Sequence, residues 1–393
     1  MKRFKKLVGV AMASAMVFSM AGCGDSNGSG NGSGNADATT FKIGGTGPLT
    51  GGAAAYGQAV QNAAQLAVDE INANGGVNGY MLELNYQDDE HNAEKAVNAY
   101  NTLKDWGVQI VLGSVTSAPC IAVVDKTKED NIFQLTPSGT AVECTKYDNA
   151  FRVCFSDPAQ GTVSAQYIGE NNLASKIAII YDSSDTYSSG IYENFAKEAE
   201  KYSFEIVCAE AFTEDSNTDF SVQLQKAKDS GADMVFLPIY YEEAALILTQ
   251  ANGMGFAPIF FGVDGMDGIL SGVDNFDASL AEDVMFLTPF AATSTETDIV
   301  NFVTAYKEKF GETPNQFAAD AYDGVYIIKD LIEKSGVKPS DDTATICSGL
   351  KEAITNGYSF DGLTGTGITW SADGEPNKAP SVVVIKGGVY NQL

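Results

Sequence analysis

The chain has 393 residues and a formal net charge of −27, from 24 Lys and Arg against 51 Asp and Glu. Such a surface repels nucleic acid and anionic lipid, while a hydrophobic fraction of 44% is ordinary for a globular protein. A single histidine and no Cys-x-x-Cys pair leave almost no raw material for a zinc centre or a Ser-His-Asp triad.

Lys2, Arg3, Lys5 and Lys6 precede an apolar run over residues 7–20, and Ala21-Gly22 lead into Cys23. A basic start, a short apolar core and small residues at the cut site predict a signal peptide over 1–22. The run is shorter than the roughly 20 apolar residues of a membrane span. The stretch before Cys23 resembles a bacterial lipobox, with Met20 where Leu is more usual. That resemblance implies cleavage before Cys23, lipidation of its sulfur and a tether outside the cytoplasm, where ATP and NAD are not expected. Removing 1–22 takes away four basic and no acidic residues, which moves the net charge from −27 to −31. Residues 24–40 have almost no apolar content. The segment 23–40 therefore reads as a lipidated flexible linker with a reach of roughly 20–25 Å. The rest of the chain is long enough for two lobes with separate cores.

Beyond the linker, strands are predicted over 41–44, 82–86, 108–112 and 132–135, alternating with helices over 57–72, 93–105 and 118–129. The first helix carries Val60, Ala63, Ala64, Ala67 and Ile71 at helical spacing and stops at Gly75-Gly76. The rhythm continues with strands over 177–181, 204–209, 234–237 and 258–261 and helices over 191–202, 220–229 and 242–252. Alternation of this kind predicts parallel sheets of right-handed βαβ units. After a strand over 284–287 come three helical stretches, 297–310, 317–333 and 343–356. A β tail comes last, at 367–370 and 382–385, around Asp373-Gly374. Lone strands do not stand alone, so the tail is expected to join a sheet begun earlier, and the chain to cross between lobes more than once.

Cys23 apart, the cysteines are Cys120, Cys144, Cys154, Cys208 and Cys347. Cys144 and Cys154 enclose a short polar stretch, and two readings stay open: a disulfide in an oxidising compartment, or free thiols. The other three read as small buried hydrophobes. His91, in DDEHNAE, reads as a solvated surface histidine. The segment GGTGPLTGG lacks the Lys-Ser/Thr of a P-loop and the glycine spacing of a dinucleotide fingerprint; it reads as a tight strand-to-helix turn. The aspartates of FGVDGMDG and DSSDT do not match an EF-hand loop. No metal or cofactor is expected.

Strand ends of open α/β sheets face the crevice where ligands bind. The turn GSVTSA, residues 113–118, leads from a strand into a helix whose start offers free N–H groups and partial positive charge, suited to a carboxylate. A second polar turn, TPSGT at 136–140, lies at the same sheet edge. The competing reading of both turns is ordinary helix capping by Ser and Thr.

Residues 41–84, FKIGGTGPLTGGAAAYGQAVQNAAQLAVDEINANGGVNGYMLEL, resemble the start of the leucine/isoleucine/valine-binding proteins. VLGSVTSAP, FQLTPSGTA, FRVCFSDPAQG, IAIIYDSSDTYSSG, PIYYEEA and FGVDG extend the resemblance over essentially all of 41–393. These are type I periplasmic binding proteins that feed ABC importers of branched-chain amino acids. The resemblance implies an α/β fold of two doubly wound parallel-sheet lobes joined by a three-segment hinge, with ligand in the cleft between them. Periplasmic binding proteins are a standing example of hinge closure. The expected lobes are 41–156 with 289–364, and 157–288 with 365–393.

By the same resemblance, Ser117 and Thr140 donate to a ligand α-carboxylate, and the Ser138 carbonyl accepts from its α-ammonium. Asp264 supplies the counter-charge from the second lobe, an aspartate where the family's leucine-binding prototype has glutamate. Tyr187 and Tyr240 match ligand-contacting tyrosines of that lobe; Tyr56 and Phe317 match pocket-lining aromatics of the first. Thr116 stands where the prototype has a disulfide cysteine and His91 lies near the place of its partner, so that disulfide is not expected. Asp320 is expected to be a solvated acid, the alternative being contact with a polar ligand side chain. The expected function is capture of an amino acid, branched-chain or aliphatic favoured, and its delivery to an ABC permease by an extracytoplasmic, lipid-anchored monomer. A single histidine, His91, is a poor candidate for a catalytic base, which fits a protein that does no chemistry on its ligand. The alternatives are a sensing module for a membrane receptor, or a cleft for another small carboxylate, amide or short peptide.

Overall fold

The first sheet of the computed structural model, which describes residues 39–393, is laid down in strand–helix alternation up to its last two strands. The order is β1 (Thr40–Gly47), α1 (Ala54–Ala73), β2 (Met81–Asp88), α2 (Ala93–Trp106), β3 (Ile110–Leu112), α3 (Ser117–Glu129), β4 (Phe133–Thr136) and β5 (Ala150–Arg152). The strands lie in the order β2-β1-β3-β4-β5 and every pairing is parallel. Strands covered on both faces lose the alternation of a half-buried strand: Ile110-Val111-Leu112 and Phe133-Gln134-Leu135-Thr136 are buried throughout. The signal segment, Cys23 and nearly all of the linker lie outside the described residues.

The chain then passes to a second sheet through α4 (Asp157–Glu170), β6 (Lys176–Asp182), α5 (Thr186–Ala199), β7 (Glu205–Phe212), α6 (Ser221–Asp229), β8 (Met234–Leu237), α7 (Tyr241–Gly253), β9 (Ile259–Gly262) and β10 (Met285–Thr288). It returns as α8 (Thr297–Phe310), α9 (Gln316–Ser335) and α10 (Thr343–Thr355), forms a hairpin of β11 (Phe360–Gly362) and β12 (Gly365–Ile368), and ends in β13 (Ser381–Lys386) and β14 (Val389–Gln392). The second sheet has the order β14-β13-β10-β9-β8-β6-β7. Only β13 runs antiparallel to its neighbours β10 and β14.

Each lobe has its own core. In the first, Phe41, Ile43, Leu112 and Phe133 pack with Val325, Ile328 and Leu331 of α9 and Ile346 and Leu350 of α10. In the second, Ile177, Ile179, Phe195, Phe236 and Phe261 cluster. A third apolar cluster runs from Tyr56, Val60 and Ala63 of α1 to Tyr241 and Phe286 and on to Phe317, so the lobes share a waist.

Several expectations change. The strand β5 and the helix α4 escape sequence reading because β5 has three residues and α4 reads DPAQGTVSAQYIGE, with a weak apolar stripe. Helix α5 starts five residues before the expected 191, because Asp185 caps it by accepting from the Tyr187 N–H. The tail splits. Val382, Val383 and Val384 pair with β10 as expected, but the strand nearest the predicted 367–370 pairs with Phe360–Gly362 in a hairpin of its own. Cys144 and Cys154 are free and buried; one thiol faces the Ser117 carbonyl and the other the Gly139 carbonyl. Cys208 is only partly buried. Asp320 is not solvated. Its carboxylate is buried and meets Lys378 Nζ at 2.6 Å, and the same ammonium reaches Thr364 Oγ1 at 2.6 Å and the Val153 carbonyl. This cluster lies where the chain recrosses between lobes, 58 residues away along the sequence from Asp320 to Lys378.

Gly57 shows how tightly the β1–α1 turn is packed: a Cβ there would lie 1.9 Å from the Pro48 carbonyl oxygen. Gly57→Ala is expected to destabilise by about 1–3 kcal/mol or more. Gly253→Ala, where a Cβ meets nothing, is expected to be neutral or to gain up to about 1 kcal/mol from helix propensity. Denaturant unfolding of both variants checks the contrast.

Candidate functional site

The nine residues singled out in the sequence converge. Tyr56, Thr116, Ser117, Ser138, Thr140, Tyr187, Tyr240, Asp264 and Phe317 border one space between the lobes, together with Val115 and Gly265. From the first sheet, the β3–α3 turn places Thr116 at the N-cap of α3, but its side chain makes no capping bond. Ser117 Oγ instead lies 3.4 Å from Thr140 Oγ1 and accepts from the Ala141 N–H. Ser138 Oγ donates to the Val115 carbonyl at 2.7 Å, tying the two turns together. The turn that carries Thr140 is gripped from behind by Arg152, which is wholly buried and donates to the Gly139 and Ala141 carbonyls at 2.9 Å each. The first N–H groups of α3 have no partner within the helix. This edge therefore presents donors.

The second lobe presents an acceptor. Asp264 is buried, and Tyr187, in the first turn of α5, donates its hydroxyl to Asp264 Oδ1 at 2.5 Å while accepting from the Gly265 N–H at 2.9 Å. Burial pushes the Asp264 carboxyl up to about 6, against the hydrogen bonds that favour its charge. The loop is held on both sides. The Asp264 N–H donates to Gln160 of α4, and Gln316 of α9 donates to the Asp264 carbonyl at 2.8 Å. Asp157, at the start of α4, is a second wholly buried acid; its Oδ1 has no partner and burial pushes its carboxyl well up.

Aromatic rings wall the space. Tyr187 and Tyr240 stack with centroids 4.7 Å apart, and Tyr56 packs on Phe317 at 4.3 Å and on Tyr241 at 5.0 Å. The Tyr56 hydroxyl donates to the Gly265 carbonyl at 2.6 Å, a direct clasp between lobes. The enclosed volume is about 10 Å³, roughly that of one water-sized probe. Admitting a larger solute requires the clasp to open. The chemistry on offer is donors for an anionic group on one jaw, a carboxylate for a cationic group on the other, and rings to cover what lies between.

His91 departs from expectation. Glu90 and His91 both take positive φ, 49° and 58°, and the His91 N–H is held by Asp89 Oδ1. That turn swings the imidazole inward. Its Nδ1 lies 2.8 Å from Thr116 Oγ1, and its ring meets Tyr240 edge-on at 5.3 Å. Burial pushes its pKa down. Thr116, where resemblance places a disulfide cysteine of the prototype, and His91, near the place of its partner, thus meet through a hydrogen bond. Asp157, Gln160 and Arg152 lie within FRVCFSDPAQG and were legible there as a match but not as support for the site. Gln316 sits directly before Phe317, and nothing local marked it.

A family model described as "Periplasmic binding protein" matches residues 40–389. The chain is 30% identical to the leucine-, isoleucine-, valine-, threonine- and alanine-binding protein of Pseudomonas aeruginosa, over 82% of this chain and 86% of that one. It is 28% identical to Leu/Ile/Val-binding protein homolog 3 of Brucella melitensis, over 97% and 96% of the two chains. Among solved structures, the branched-chain amino acid transporter substrate binding protein LivJ of Streptococcus pneumoniae, in complex with isoleucine, superposes with a TM-score of 0.81. The two are 32% identical, over 90% of this chain and 98% of that one.

Burial raises several carboxyls, among them Asp264 and Asp323 to about 6, and Asp89, Asp267 and Glu243 to about 7. A carboxyl whose folded pKa lies above its unfolded value near 3.8 destabilises the fold progressively as pH rises from the lower value through the higher. The melting temperature without ligand is therefore expected to fall between pH 5 and pH 8, and Asp264→Asn is expected to reduce that fall. Calorimetric scans across the range check both.

Proposed function

The chain belongs to the leucine/isoleucine/valine-binding family of type I periplasmic binding proteins, and on that premise we propose that it captures an amino acid by closing its two lobes. The α-carboxylate is received by the start of α3 with Ser117 and Thr140. The α-ammonium is received by Asp264 and the Ser138 carbonyl, and the side chain lies among Tyr56, Thr116, Tyr187, Tyr240 and Phe317. The observation that carries this reading is the meeting of all nine residues at one inter-lobe space, with donors on one jaw and a buried carboxylate on the other. Relatives bind branched-chain amino acids, as their names state, which favours an aliphatic ligand.

Closure follows from the division of contacts. A ligand that touches both jaws binds the closed state better than the open one, and that difference shifts the equilibrium. Ligand ammonium also removes the cost of an unpaired buried carboxylate, which is several kcal/mol. The same premise extends to an extracytoplasmic setting, with lipidation at Cys23 and delivery of the solute to an ABC permease. Replacing Cys23 with Ser is expected to move the protein from the membrane to the soluble fraction.

Titration calorimetry with leucine, isoleucine and valine tests the core of the proposal. Asp264→Asn is expected to weaken binding by about two orders of magnitude while the fold persists. Wild-type affinity is expected to fall about tenfold per pH unit below about 6, where Asp264 protonates. Unchanged affinity in the variant would remove Asp264 from the site.

A further inference from the structure

On the far side of Tyr240 the cleft widens into a second chamber of about 570 Å³, a volume typical of small-molecule pockets. It is bordered from the first lobe by Glu90, His91 and Lys95, and from the second by Asp182, Asp185, Glu214, Glu242 and Glu243. Lys95 is engaged by Glu90 at 2.5 Å, and the half-buried imidazole is pushed toward its neutral form. Among the described residues, five carboxyls therefore line the chamber without a cation of their own.

Two of them are prepared for one. Asp185 spends Oδ1 on capping α5 at the Tyr187 N–H. Its Oδ2 is sealed from solvent near the Tyr240 hydroxyl and makes no hydrogen bond of good geometry. Glu243 accepts from Asn217 Nδ2 at 3.0 Å, and burial raises its carboxyl to about 7. A buried carboxylate oxygen without a partner is a standing cost that a donor within reach removes. Among the described residues no three such side chains are placed to hold a metal ion. The acids are instead spread around a roomy cavity, which suits an organic cation.

The chamber adjoins the inner site. Tyr240 borders both spaces, Thr116 of the inner space is bonded to His91 of the outer one, and Ala118 of the outer wall is next in the chain to Ser117 of the inner. The His91 imidazole, bonded to Thr116 and packed on Tyr240, stands between the two spaces, so a side chain leaving the inner pocket there displaces that ring to enter the chamber.

We propose that the chamber is a second subsite of the same cleft, one that takes the distal ammonium or guanidinium of an amino acid whose zwitterionic head occupies the inner pocket. The inference rests on the zwitterion reading of the inner pocket and adds a ligand class to it. An aliphatic side chain leaves these acids unpaired; a cationic one pairs with Asp185 and Glu243.

Titration calorimetry of the purified full chain with L-norleucine and L-lysine tests this, because the two ligands differ only in the terminal ammonium. Lysine is expected to bind about tenfold or more tighter than norleucine. Asp185→Asn, which keeps the helix cap, and Glu243→Gln, which keeps the acceptor for Asn217, are each expected to shrink that advantage and leave norleucine unmoved. Norleucine binding as tightly as lysine, or a lysine advantage intact in both variants, overturns the proposal. The third probe is 1,5-diaminopentane, which is lysine without its carboxylate. If it binds in an Asp185-dependent manner while neither amino acid binds, the chamber stands and the zwitterion reading falls. If none of the three binds, both fall.

Discussion

A carboxylate enclosed between two lobes is the constraint around which this molecule is arranged. Asp264 sits in a loop of the second lobe, yet its carbonyl is held by Gln316 from the first. Its neighbour Asp267 accepts from the Gln316 backbone at 2.8 Å. The Tyr187 hydroxyl compensates part of the desolvation and burial still holds the carboxyl near 6. A group in that condition is poised: protonated it costs little, and ionised it calls for a cation. Placing it opposite hydroxyls and helix-start amides makes the closed cleft complementary to a dipolar solute, where an array of a single sign would suit only an ion.

The few cations of this acidic chain are used with economy. Arg152 is the only arginine apart from Arg3, and it is wholly buried, bonded to the turn that carries Thr140 and paired with Glu375 at 2.9 Å. Lys378 is equally enclosed against Asp320. Both pairs join the first lobe to the segment by which the chain makes its last passage between lobes. Trp370 adds a bond from its indole N–H to the Arg152 carbonyl at 2.7 Å. Pairs like these are costly to break singly, so they hold the returning segment in one arrangement near the cleft.

The cleft has two electrical characters. The inner space is small, ringed by aromatics and balanced between donors and a single acid. The outer chamber is large and one-sided, with acids from α7 and the β6–α5 turn facing a neutral imidazole. Clefts lined by one sign of charge concentrate ligands of the other, so the mouth attracts a cationic solute before the inner contacts select it.

Much of this was open to reading from the residues. The β/α alternation, the two polar turns at 113–118 and 136–140 and the start of α9, expected at Phe317 and found one residue earlier, are encoded by periodicity, by small residues at turns and by apolar runs, all of which act over a few positions. The nine site residues were reached through motif resemblance, and they do share one space. What the sequence by itself determined is therefore the order of elements and the chemistry available at each strand end, because those depend on neighbours within a turn or two. Only the tertiary structure decided that His91 turns inward to Thr116, that Asp320 meets Lys378, that Cys144 and Cys154 face different carbonyls, and that the strand at 365–368 pairs away from the large sheet. In most of these cases the deciding partner arrives from a distant part of the chain or across the lobe boundary, and at His91 consecutive left-handed residues re-aim the side chain, information that no short window of sequence contains.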